Sequence, residues 1–252
     1  MRLRTTAILT TAAAAATSIV ILAGCGGSAS EASPSTATST TAARQAAGAR
    51  PACYPNCQGA NLAGADLSRA DLSRANFRNA DLSRANLRVV DLRGADLSRA
   101  NLTDASLNGA DLNGADLNGA NLTRASLYRA NLFVKNLADA NLTNAFLGNA
   151  NLRGANLTRA NLTRANLTRA ALYRANLTGA NLTGANLFFA FLGNANLTNA
   201  NLDSADLSGA NLTSANLTNA DFIRADLIRA NLTSAIFQGT TCPNGTVTST
   251  GC

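Results

Sequence analysis

The stretch Ala155-Asn156-Leu157-Thr158-Arg159-Ala160-Asn161-Leu162-Thr163-Arg164 states one five-residue rule twice: Ala-(Asn/Asp)-Leu-X-X. The rule runs without insertion or deletion from Ala60 to Gly239, so 180 residues divide into 36 units of five. The third position is Leu except at Phe77, Phe222 and Phe237, and the first is Ala except at Val90 and Lys135. Self-similarity of this kind takes precedence over any window-by-window reading of secondary structure.

A period of five excludes both regular elements. An α-helix turns about 100° per residue, which would scatter the leucines around its axis. A flat strand alternates its faces with period two, and an odd repeat would throw successive leucines to opposite sides. Each unit must therefore contain a bend. Ala and Leu, two apart, share the inner side of a short extended segment. The two residues after Leu, with the next Ala, turn the corner. Asn or Asp at the second position points outward, where its side chain can bond the backbone of a tight turn. Closing such segments into polygons and stacking the polygons gives a solenoid with a Leu and Ala core.

Across residues 60–239 the array resembles the pentapeptide-repeat family. The resemblance implies an all-β fold, a right-handed quadrilateral parallel β-solenoid with four units per coil. Spacing alone leaves three or five units per coil open. With four, the 36 units make about nine coils, a rod roughly 43 Å long at about 4.8 Å per coil. Such a core is filled along its length and encloses no pocket.

The flanks divide by composition. Residues 1–24 read as an export signal, with Arg2 and Arg4 before an apolar stretch from Ala7 to Leu22. The run Leu22-Ala23-Gly24-Cys25 resembles a bacterial lipobox, which implies lipidation of Cys25 as the mature N-terminus. Residues 25–50, mostly Gly, Ser, Ala and Thr, cannot bury a core and read as a flexible tether. Residues 51–59 and 240–252 are placed to cap the open ends of the solenoid, and Pro243-Asn244-Gly245 is a turn signal within the second. Cys53 and Cys57 precede the array, and Cys242 and Cys252 follow it. A disulfide needs Cα atoms within about 7 Å, and a rod of this length keeps the two ends apart. The expected bonds are Cys53 to Cys57 and Cys242 to Cys252, as an exported chain allows.

Several chemistries lack their residues. The chain has no His, which removes the commonest general base and most transition-metal sites. No phosphate-binding glycine loop is present. No catalytic residue, metal site or cofactor is expected, and the protein reads as a non-enzyme. The Asn-Leu-Thr triplets match a glycosylation acceptor but follow from the repeat itself. The repeat region holds 16 Arg and Lys135 against 13 Asp, 17 − 13 = +4, within a chain of net charge +7. Family members that protect topoisomerases by mimicking DNA carry an acidic surface and a dimerising C-terminal segment. The positive charge, the missing segment and the export signal all disfavour that alternative, and an envelope enzyme is disfavoured further. The arginines are scattered over all sides, so no nucleic-acid partner is expected. The function expected is that of a lipid-anchored rigid spacer or interaction module outside the cytoplasmic membrane, with an envelope protein as partner.

With 20 residues per coil, positions 20 apart stack. The sides are numbered here by their third-position residues: Leu62 begins the first, Leu67 the second, Leu72 the third and Phe77 the fourth. Threonines stack on the first side at 103, 123, 143, 163 and 183, and on the fourth at 158, 178, 198 and 218. They are expected to hydrogen-bond along their columns. The outward aromatics Tyr128, Phe133, Phe146, Tyr173, Phe188, Phe189 and Phe191 all fall on the second and third sides and form the candidate interaction surface. A partial duplication accounts for some of them, since Ala125 to Leu152 and Ala170 to Leu197 share two motifs at an offset of 45 residues. Lys135 occupies an inward Ala position, where an unpaired ammonium is costly. It is expected to widen its coil locally and escape to solvent.

Overall fold

A computed structural model describes residues 47–252; the expected signal segment, Cys25 and the tether up to residue 46 lie outside the described residues. Parallel bridges join second-position residues 20 apart, as in Asn61 with Asp81, Asp66 with Asn86, Asp71 with Asp91 and Asn76 with Asp96. Four units thus complete each coil.

The unit is explained by the destinations of its five N–H groups, each of which needs an acceptor when removed from water. In the first units, the third-position N–H of Leu62 donates to Asp81 O at 2.7 Å and the fifth, of Gly64, to Ser83 O at 2.7 Å. The second-position N–H of Asp81 donates back to Ala60 O at 2.9 Å. The first-position N–H of Ala65 closes the corner onto Leu62 O at 3.0 Å. Only the fourth remains, and the Asn or Asp side chain takes it: Ala63 N donates to Asn61 Oδ1 at 3.1 Å, and Ser73 N to Asp71 Oδ1 at 3.1 Å. The second position therefore supplies the single acceptor that neither ladder nor turn provides.

The corner requires its fifth residue in the left-handed region, as a type II turn does at its third residue. From Gly64 to Gly239 every fifth position has positive φ. Glycine fills only some of them. Arg69 at 59° and Asn79 at 57° are typical of the rest, and Val89, Val134 and Phe189 adopt φ of 52° to 54° against their intrinsic preference.

Inside, the third-position leucines from Leu67 to Leu217 have no solvent exposure, and the alanines beside them form one continuous core. Phe77 and Phe222 are buried near its two ends. At the N-terminal end the capping segment extends back to Gly48, three residues before the boundary drawn from composition. Gly48 N donates to Ser68 O at 2.6 Å, and Arg50 Nε to Asp71 O at 2.8 Å. Farther along, Asn76 N reaches Pro55 O at 2.8 Å and Cys57 N reaches Asn76 O at 2.8 Å. The segment lies under three sides of the first coil.

The C-terminal cap is a small hairpin, β1 (Thr240–Thr241) antiparallel to β2 (Val247–Thr248). It covers less. Phe222 N and Arg224 N donate to Thr241 O at 2.8 Å and Pro243 O at 3.0 Å, and Thr240 Oγ1 donates to Leu217 O at 2.7 Å. On the second and third sides of the last coil, the N–H groups of Leu227, Arg229, Leu232 and Ser234 have no backbone acceptor among the described residues. Both disulfides join the expected partners, Cys53 to Cys57 with Cα atoms 4.9 Å apart and Cys242 to Cys252 at 5.3 Å.

Lys135 is where the ladder breaks. Its side chain does not escape to solvent; the residue is only 4% exposed. What marks its position instead is a gap in the intercoil hydrogen bonding. Among the described residues, the N–H groups of Gly109, Leu112, Gly114, Asn131 and Asn136 lack the intercoil bonds their counterparts make elsewhere. The register survives, with Asp111 still opposite Asn131 and Asp116 opposite Asn136. Burial lowers the Lys135 pKa, and the Asp111 carboxylate partly counters it. The third side stacks Asp71, Asp91 and Asp111; Arg50 pairs with Asp71, and Arg93 with Asp91 and Asp111.

Candidate interaction surface

The threonine columns do not form hydroxyl ladders. Thr103, Thr123, Thr143, Thr163 and Thr183 each donate Oγ1–H to the Asn Oδ1 two residues earlier, at 2.6 to 2.7 Å. Thr158, Thr178, Thr198 and Thr218 do the same at 2.6 Å. The amide acceptor is nearer than the next coil's hydroxyl and is already held in place by the fourth-position N–H. Across coils these hydroxyls accept from asparagines, as when Asn176 Nδ2 and Asn196 Nδ2 donate to Thr158 Oγ1 and Thr178 Oγ1 at 3.0 Å.

The aromatic columns behave differently. Phe133, Phe146, Phe188, Phe189, Phe191 and Tyr128 are exposed, and Tyr173 is half-buried. Side chains lean onto the following coil, so each position 20 residues ahead must make room. Gly148 lies under Tyr128, where an added Cβ would sit 3.4 Å from the ring, and Gly193 lies under Tyr173 at 3.3 Å. The duplication reproduces this pair on the adjacent side, because 45 residues are nine units, two coils and a quarter turn. Gly209 lies under Phe189, where a Cβ would be 2.7 Å from the ring. Phe188 and Phe189 meet edge to face with centroids 4.5 Å apart.

Phe146 and Phe191 stand at second positions, where Asn or Asp otherwise accepts the fourth-position N–H. Among the described residues, the N–H groups of Gly148 and Gly193 consequently have no acceptor. Ser126, another departure, is compensated: Asn108 Oδ1 accepts from both Ser126 Oγ at 2.6 Å and Tyr128 N at 3.1 Å. The two phenylalanines remain uncompensated.

Arg153 and Arg174 both approach the Tyr173 ring, at 5.8 and 5.2 Å from its centroid, and Arg129 approaches Tyr128 at 5.2 Å. Arg129 and Arg174 adjoin their rings in the sequence, whereas Arg153 meets Tyr173 only when coils stack. The Tyr-to-Gly spacing of 20 was the legible signal. Among the described residues, no group of three metal-ligating side chains comes together.

The pentapeptide-repeat family profile matches residues 56–94, 95–132, 136–172, 165–203, 180–219 and 210–241. The chain belongs to the pentapeptide-repeat family, whose fold is the right-handed quadrilateral β-helix. It is similar to HetL, a pentapeptide repeat protein involved in heterocyst differentiation regulation from the cyanobacterium Nostoc sp. strain PCC 7120. The identity is 38% over 77% of this chain and 91% of that chain, with a TM-score of 0.39. It is also similar to QnrB1, a plasmid-mediated fluoroquinolone resistance protein, at 21% identity over 73% of this chain and 84% of that one, TM-score 0.37. A pentapeptide repeat protein of the Arabidopsis thaliana thylakoid lumen is 32% identical over 50% of this chain and 66% of that one, TM-score 0.18. No curated protein matches the chain.

Proposed function

We propose that this is a non-enzymatic interaction module of the cell envelope: a rigid rod of about nine coils, held outside the cytoplasmic membrane by a lipid on Cys25. The observation that carries the interaction reading is the placement of Phe146 and Phe191. Each occupies a position where Asn would satisfy a backbone N–H, and each is instead exposed, at 54% and 53%. Local rules broken without a structural gain concentrate at functional sites. Grouped exposed aromatics are also the side chains that interface cores favour. The Leu22-Ala23-Gly24-Cys25 run supports the anchor, and a core of Leu and Ala without a polar cluster supports a binding rather than a catalytic role.

The test is capture of a partner from detergent-solubilised envelopes. Replacing Phe188, Phe189 and Phe191 with Ser is expected to abolish capture while the circular-dichroism spectrum is unchanged, and replacing Thr123, Thr143 and Thr163 is expected to leave capture intact. The opposite pattern refutes the surface assignment. Cys25→Ala is expected to move the protein out of the detergent phase; unchanged partitioning and precursor mass refute the anchor.

A further inference from the structure

On the third side, successive coils present Phe133, Arg153 and Tyr173 at the fourth position and Val134, Gly154 and Arg174 at the fifth. Tyr173 leans away from Arg153 onto the following coil. Gly154 contributes no side chain, and the site of its absent Cβ lies 3.4 Å from Val134 Cγ2. An open concavity of about 450 Å³ results. Phe133 and Val134 form one wall, and Tyr173 and Arg174 form the other, two coils or roughly 10 Å away.

The charge within it is unbalanced. Among the described residues, salt bridges use Arg50, Arg93, Arg124, Arg159 and Arg224, and neither Arg153 nor Arg174 is among them. Both guanidiniums are also without side-chain hydrogen bonds, and the stacked carboxylates of this side lie in earlier coils. Both stand beside the Tyr173 ring, and with no ion pair among the described residues their N–H groups can donate paired hydrogen bonds to a carboxylate. The apolar walls suit a hydrocarbon side chain. A nucleic acid would require a longer basic track, and an anionic membrane a flatter basic face.

The geometry points to a docking site for an extended acidic peptide segment of a partner protein. Its carboxylate is received by Arg153 and Arg174, and its neighbouring apolar side chain lies between Phe133 with Val134 and Tyr173. This inference rests on the interaction-module reading and specifies its partner's chemistry.

The probe is an end-blocked, fluorescently labelled peptide alternating glutamate with leucine, titrated against the full chain in detergent and followed by anisotropy. Saturable binding is expected, weakened roughly tenfold by Arg153→Gln with Arg174→Gln, by Phe133→Ser, and by raised salt. The glutamine counterpart of the peptide is expected not to bind. Retention of full affinity by the double arginine variant, or equal binding of the glutamine peptide, overturns the inference. So does binding to phosphatidylglycerol vesicles that depends on Arg153 and Arg174 when the peptide itself fails to bind. Envelope capture lost on the Phe188, Phe189 and Phe191 substitutions but untouched by the arginine pair overturns the groove and preserves the module reading. Peptide binding intact, with capture indifferent to every aromatic substitution, upholds the groove and overturns the module reading.

Discussion

Lys135 shows how much one side chain disturbs a close-packed stack. An Ala at its position, as in nearly every other unit, would fill the same core site without a charge and without interrupting the ladder. The five N–H groups left without intercoil acceptors, from Gly109 to Asn136, would regain them. Lys135→Ala is expected to stabilise the protein by about 1–3 kcal/mol, since each net hydrogen bond is worth roughly 1 kcal/mol. Amide exchange at Leu112 and Gly114 should slow accordingly; a lower denaturation midpoint would contradict this account. The pH dependence has a definite sign. Burial lowers the folded-state pKa of Lys135 below its ordinary 10.5, so the unfolded chain binds that proton more tightly. Stability therefore rises with pH as the lowered pKa is passed and levels off above the ordinary value. The Ala variant should lose that rise.

At the scale of the unit, the second position determines whether the backbone is fully bonded. Asn and Asp accept the fourth N–H, and Asn at the same position takes the threonine hydroxyl two residues on. Phe146→Asn should restore the acceptor for Gly148 N–H and raise stability by about 1 kcal/mol in chemical denaturation. If capture falls in the same variant, the aromatic is held at that site for contact and not for folding. The N-terminal cap offers a second test. Hydrogen bonds from the Ser73 hydroxyl and backbone N–H, and then from Arg50, hold the Asp71 carboxyl at about 2. A depressed carboxylate pKa stabilises above the unfolded value and is lost as pH falls through the folded one. Between about pH 4 and pH 2 the contact of Arg50 with Asp71 should weaken, while the middle coils keep their protection. Arg50→Gln should move the Asp71 titration, followed by NMR, upward; an unmoved titration would remove Arg50 from the cap.

In the whole molecule, each coil bonds only to the coils on either side, so stability is a sum of neighbour contacts and damage at one end stays local. The ends are unequal. The N-terminal segment lies under three sides of the first coil, whereas the C-terminal hairpin leaves N–H groups of Leu227, Arg229, Leu232 and Ser234 without backbone acceptors among the described residues and Ile228 and Ile236 exposed. Reduction of Cys242 and Cys252 is expected to speed amide exchange near residues 222–224, where Thr241 and Pro243 provide the acceptors, and to leave residues 150–200 protected. Uniform loss of protection throughout the stack would show cooperativity beyond nearest neighbours.

The five-residue period by itself determined the bend in every unit, the inward Leu and Ala, the outward Asn and the separation of the two cysteine pairs, because these depend on local geometry repeated without interruption. With the four-unit coil that the family resemblance implied, it also placed the aromatics on two sides. What stacking alone decided were the relations across 20 residues: which N–H groups Asn must serve, where threonine hydroxyls turn, and how Tyr128 and Tyr173 come to rest on Gly148 and Gly193. Sequence expected Lys135 to reach water, yet the residue is buried where the intercoil ladder is interrupted. Arg153 and Arg174 likewise acquire a common ring only in three dimensions. A single unit encodes its own turn, but the lean of a long side chain is settled by the room left in the next coil.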